Sequence, residues 1–170
     1  MKSVKRISFC LIIISCSIFF FIKGYEQYDI VVQNKIIDNP FSIKSIDGYI
    51  FIPKFNIKRI IKRGTDSDIL DSNYVGIHDL SGELNGSNLI ILAGHNIDNV
   101  FGRLHDILIG DVVFIKGDGY DRKFIVYDKK IVSEYDFSYF KNMNNELVLI
   151  TCDKKGYRLL VFLKEDLWIF

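Results

Sequence analysis

One cysteine, one histidine and one arginine stand where thiol chemistry would need them. Leu147-Val148-Leu149-Ile150-Thr151-Cys152 is an apolar run ending on the cysteine, and Arg158-Leu159-Leu160-Val161-Phe162 opens after the five residues 153–157. If those residues close a hairpin, Cys152 and Arg158 are cross-strand partners, with Cβ atoms about 5 Å apart on one sheet face. A guanidinium at that distance favours the thiolate and makes the nucleophile available near neutral pH. A thiolate also needs a proton donor for its leaving group, and there are three histidines. Leu89-Ile90-Ile91-Leu92-Ala93-Gly94-His95 is a second apolar run that delivers a reactive side chain at its end, with Ala-Gly permitting close backbone approach. His78 sits in the loop Gly76-Ile77-His78-Asp79, either as a loop hydrogen-bonder or lining a substrate cleft. His105 belongs to a helical turn in which Phe101, Leu104 and Ile107 face inward, which puts the imidazole on the solvated side.

These side chains must be carried by strands. Apolar runs with turn residues between them occur at Tyr49–Ile52, Phe55–Ile61, Asn88–Leu92, Asp111–Lys116, Lys123–Tyr127, Lys130–Ser133, Leu147–Thr151 and Arg158–Leu163. Gly64, Gly82, Asn85-Gly86 and Gly117-Asp118-Gly119 punctuate them. A composition rich in Ile, Phe, Tyr and Asn favours strands. No long helices alternate with the runs, which argues against a parallel α/β sheet. The expected fold is mainly β, a closed eight-stranded barrel with short helical inserts.

The N-terminus follows another rule. Lys2, Lys5 and Arg6 precede an uncharged run from Ile7 to Ile22, closed by Lys23. A basic flank before an apolar stretch is a signal peptide or signal anchor, and no Ala-x-Ala-like cleavage site follows. Residues 1–24 are therefore expected to be a single-pass anchor helix, with residues 1–6 in the cytoplasm by the positive-inside rule. Ile13-Ile14-Ser15-Cys16 resembles a lipobox, but the apolar run continues past it through Ile18-Phe19-Phe20-Phe21, as a spanning helix would. Residues 25–46 read as an amphipathic helix or stalk ended by Asn39-Pro40, and residues 47–170 as the functional domain. Cys10 and Cys16 lie in the anchor, so Cys152 is alone in the exported part, without an intramolecular disulfide partner. A net charge of +1 with no basic block argues against nucleic acid as a partner.

Taken together, Ala93-Gly94-His95-Asn96, Phe101-x-x-Leu104, the Gly110-Asp111 turn and Leu149-Ile150-Thr151-Cys152 with downstream Arg158 resemble the sortase family. Gly48-Tyr49-Ile50-Phe51-Ile52-Pro53-Lys54 is similar to the family's first barrel strand. The resemblance covers roughly residues 47–165, in order. It implies an eight-stranded barrel and a cysteine transpeptidase on the outer face of a Gram-positive membrane. Its substrate would be a Leu-Pro-x-Thr-Gly-like sorting signal, cut between Thr and Gly, and a cell-wall precursor amine would resolve the thioacyl enzyme. Carried over, Cys152 is the nucleophile, His95 the general acid and base, and Arg158 the ligand of substrate or oxyanion. Thr151 and His78 are candidates for substrate contact.

The resemblance implies no cofactor. Asp66, Asp68 and Asp71 read as a solvated loop rather than a metal site. The chain departs from the family pattern at Val148, where Thr is usual, and in a short Cys-to-Arg loop. Trp168-Ile169-Phe170 is too short for the second anchor often found in pilin-polymerising members. Two other readings use the same residues: a different cell-wall thiol peptidase or transpeptidase, and a tethered, non-catalytic β-barrel binding module with Cys152 buried.

Overall fold

The computed structural model describes residues 2–38, 47–136, 138–140 and 143–166. Among them, eight strands close into a barrel: β1 (Gly48–Ile52), β2 (Ile57–Arg63), β3 (Val75–Ile77), β4 (Ile90–Ala93), β5 (Val112–Gly117), β6 (Tyr120–Ser133), β7 (Glu146–Cys152) and β8 (Tyr157–Glu165). Their order around the barrel is β1-β2-β3-β4-β7-β8-β6-β5. The count of eight agrees with the sequence pattern, but the membership differs. The runs at 123–127 and 130–133 are two halves of β6, whose register on β8 shifts between Val126 and Asp128. A bulge there bends one long strand where the sequence suggested two. The missing eighth strand is β3, only three residues long, pairing with β2 in parallel and with β4 antiparallel.

The interior is aliphatic. Alternation sends Ile50 and Ile52, Ile90 and Leu92, Leu147 and Leu149, and Leu159, Val161 and Leu163 into one buried cluster. A second cluster lies on the outer face, where Leu89, Ile91, Val148, Leu160 and Phe162 are covered by Phe140 and Met143 from the β6–β7 connection. Strands β4, β7 and β8 are thus buried on both faces, which is why they read as nearly unbroken apolar runs. Phe101, Leu104 and Ile107, around the single-turn helix Gly102–Asp106, are fully buried as expected.

Helix α1 spans Lys2–Ile37, 36 residues without interruption. The side chains of residues 1–13, and with them Lys2, Lys5, Arg6 and Cys10, lie outside the described set. Among the described residues no helix is long and apolar enough to cross a membrane. The far end of α1 is more than a spacer. Gln33 and Ile37 are buried, and Gln33 Oε1 accepts the Ile60 N–H of β2 at 3.3 Å. Its Nε2 donates to the Asn73 carbonyl at 3.4 Å. Residues 39–46, the rest of the expected stalk, and Trp168-Ile169-Phe170 lie outside the described residues.

Candidate active site

Strand alternation decides which side chains meet. On β7, Leu147, Leu149 and Thr151 point inward, so Cys152 points outward and is exposed. It is not packed as a small buried hydrophobe. On β8 the same alternation turns Arg158 outward, and Cys152 and Arg158 are register partners. Strand β8 starts one residue before the arginine. The hairpin is closed by Asp153 N–H to Tyr157 O at 3.1 Å and Tyr157 N–H to Lys154 O at 2.9 Å.

The histidine arrives by a parallel route. β4 pairs with β7 with Ala93 beside Ile150, so two residues further along each strand lie His95 and Cys152. Three hydrogen bonds tie the two exits together. Gly94 N–H donates to Ile150 O at 3.0 Å, Thr151 Oγ1 donates to Gly94 O at 2.9 Å, and Asn96 Nδ2 donates to Cys152 O at 2.7 Å. Gly94 is required on steric grounds, since a Cβ there would sit 2.7 Å from the Phe101 ring.

These exits line a cleft of about 310 Å³. Ile150, Leu160, Val132 and Phe140 supply its apolar surface, and His78, His95, Cys152 and Arg158 its reactive groups. Thr151 also lines it, and its buried hydroxyl donates to Gly94 O. His78 faces the cleft just after β3, and its Nδ1 accepts the Leu80 N–H at 3.1 Å. His105 stays outside, half-exposed, with Nε2 3.8 Å from Asp153.

The walls hold two partners: Asp71, which the sequence placed in a solvated loop, and Glu134, which it did not single out. His95 Nε2 lies 2.8 Å from Asp71 Oδ1, across the β2–β3 connection. Arg158 lies 3.1 Å from Glu134, at the end of β6. Neither contact follows a local sequence spacing, so no motif announces it. Asn96 stood inside a recognised motif, yet its grip on the Cys152 carbonyl needed coordinates. Among the described residues no cluster of three His, Cys, Asp or Glu is placed to hold a metal ion; of the acidic trio, Asp71 is turned to His95.

An exposed thiol with an imidazole and a guanidinium on the same barrel face suits acyl transfer through a thioester. The sortase-domain family model matches residues 50–166, and the chain belongs to the sortase family of cysteine transpeptidases. The barrel is similar to that of sortase C-1 from Actinomyces oris, at 26% identity and TM-score 0.64, covering 69% of this chain and 70% of that one. Sortase C from Clostridium perfringens SM101 is similar at 29% identity and TM-score 0.62, covering 70% and 69%. A lid mutant of sortase A from Corynebacterium diphtheriae gives 27% identity and TM-score 0.63, covering 71% and 70%. No curated protein matches the chain.

Proposed function

We propose that this protein cleaves a Leu-Pro-x-Thr-Gly-like sorting signal between Thr and Gly and transfers the surface protein to a cell-wall amine. Cys152 Sγ attacks the threonine carbonyl carbon. The resulting oxyanion is met by Arg158, whose guanidinium has five N–H donors; its contacts to Glu134 and to the Tyr157 carbonyl leave others for substrate. A fixed cation beside a charge that exists only in the transition state lowers the barrier rather than merely tightening binding. His95 protonates the departing glycine amine as the C–N bond breaks. It then takes a proton from the incoming amine, which displaces Cys152 and forms the new amide.

The observation that carries this reading is the shared exit of β4 and β7, with Arg158 opposite the thiol on β8. The apolar floor of the cleft suits the Leu-Pro part of such a peptide. In the same reading Ile7–Ile22 is a single-pass membrane anchor, residues 1–6 are cytoplasmic and the barrel works outside the cell. Neither a cofactor nor a metal is called for.

The test uses the full chain in detergent micelles with a panel of Leu-Pro-x-Thr-Gly-like and Asn-Pro-x-Thr-like peptides and an added amine. Mass spectrometry should find cleavage after Thr and an amine adduct, both absent in Cys152→Ala. Cleavage of a peptidoglycan stem peptide instead would reassign the chain to another thiol peptidase of the wall. No cleavage, together with a native Cys152 inert to a methanethiosulfonate reagent, would leave only a binding module.

A further inference from the structure

The His95–Asp71 contact is open to solvent, with side chains 39% and 71% exposed. A contact between side chains this exposed contributes little to stability. Its geometry carries more information than its energy. A carboxylate only accepts hydrogen bonds, so at 2.8 Å it selects the ring form in which Nε2 bears the proton.

Both ends of the contact are held. Asp71 closes the short helix α2 (Ser67–Leu70), its N–H bonded to Ser67 O at 2.8 Å. Ser72 Oγ donates back to Asp68 O at 2.8 Å. Asn73 takes the left-handed conformation at φ 59° and donates to Leu70 O at 3.0 Å. Gln33 of α1, itself buried, donates to the Asn73 carbonyl from the other side. On the partner side the His95 carbonyl accepts the Phe101 N–H at 3.0 Å, and Phe101 is fully buried. A carboxylate on a flexible loop would meet the imidazole by chance; this one sits on a turn braced from three directions.

We propose that Asp71 is a positioning residue for His95. By accepting the Nε2–H it leaves Nδ1 as the nitrogen that moves the proton. The proton lost by the Cys152 thiol passes to Nδ1, and from there to the amine nitrogen that leaves as its C–N bond breaks. The thioester carbon–sulfur bond holds until the incoming amine attacks; that bond then breaks as the new C–N bond forms, the amine's proton passes to Nδ1, and Nδ1 returns it to Cys152 Sγ. This assignment rests on the proton-transfer role proposed above for His95, and it gives that role to one ring nitrogen.

Two readouts on the full chain in micelles separate the assignment from the transpeptidase reading. In ¹⁵N-histidine-labelled protein, long-range ¹H–¹⁵N correlation spectra report which ring nitrogen is protonated, with His95→Gln identifying the signals. The wild type should show the Nε2–H form at His95, and Asp71→Ala should shift the ring toward a mixture. In the peptide assay Asp71→Ala should lower kcat about tenfold, a fraction of what acid–base catalysis supplies, with KM within about twofold. Asp71→Asn, which keeps an acceptor without the charge, should recover part of that loss. The melting temperature should not change.

A shifted tautomer balance in Asp71→Ala upholds the positioning role even if no sorting peptide is cleaved, an outcome that would count against the transpeptidase reading alone. An unchanged balance overturns it even in an active enzyme, and so does unchanged kcat.

Discussion

The floor and the walls of the cleft are built on different terms. The floor is the pair of parallel strands β4 and β7, buried on both faces and tied at their exits by backbone and Thr151 hydrogen bonds. The walls are the connection bearing Asp71 and the end of β6 bearing Glu134, whose carboxylates meet His95 and Arg158. Cys152 and His95 leave the floor; the walls meet His95 and Arg158 with a carboxylate each. The contrast teaches that Cys152 and His95 sit at the ends of strands buried on both faces, while their carboxylate partners sit on the connections beside them. Floor substitutions should therefore cost stability, and wall substitutions should cost rate.

The sharpest case removes the reacting atom and nothing else. Cys152→Ala should abolish transpeptidation, a loss of at least about 10³-fold, while leaving the melting curve in place because the side chain is exposed. The floor is tested by Leu149→Ala, which opens a hole among fully buried neighbours and should cost about 2–5 kcal/mol in denaturant unfolding. Residual activity should then track the folded fraction. Unaltered stability would show that the floor is not the rigid half. Arg158→Ala should lower kcat about 10²-fold with stability within about 0.5 kcal/mol. Arg158→Lys should recover little, since a point charge does not reproduce the planar fork.

Smaller effects belong to the walls. Glu134→Gln should reduce kcat by no more than about fivefold, the scale of a part-exposed ion pair, because Arg158 loses its orienting charge. A loss as large as that of Arg158→Ala would erase the distinction between wall and floor.

The smallest effect lies away from the cleft, at Asp111. Burial pushes its carboxyl up, but the hydrogen bond from Lys54, the Leu108 N–H and the charges of Lys54 and Lys129 outweigh this, leaving it below the usual carboxylate range. A depressed native value means the contribution is present above the unfolded carboxyl's range and lost as pH falls through the folded value. Asp111→Asn should therefore lower stability at neutral pH by at most about 1 kcal/mol, with the difference vanishing in acid. A difference that persisted in acid would point to packing instead of charge.

Much of this architecture was legible because strands buried on both sides leave little choice of residue. The runs ending at His95 and Cys152 announce both the barrel and the two side chains it delivers. Hairpin arithmetic alone pairs Arg158 with Cys152, and the coordinates give the same register. Strand β3 was missed because three residues cannot establish a period. β6 was split because Asp128-Lys129-Lys130 interrupts the apolar run at its bulge. The contacts made by Asp71 and Glu134 were invisible for a different reason. Each contact joins a carboxylate on a connection to a residue 24 positions away, and acidic residues so placed carry no sequence pattern.

The parallel pairing of β4 with β7 also sets the order in which the molecule acquires its chemistry. Cys152 and Arg158 belong to one tight hairpin and come together as soon as β7 and β8 fold against each other. The strand exits of β4 and β7 are held by a contact spanning 57 residues, with β5 and β6 in between. Pairings of that sequence separation form slowly, after local ones. A folding chain thus brings its thiol to a cation early and to a proton donor late. Closing the barrel is the step that completes the cleft.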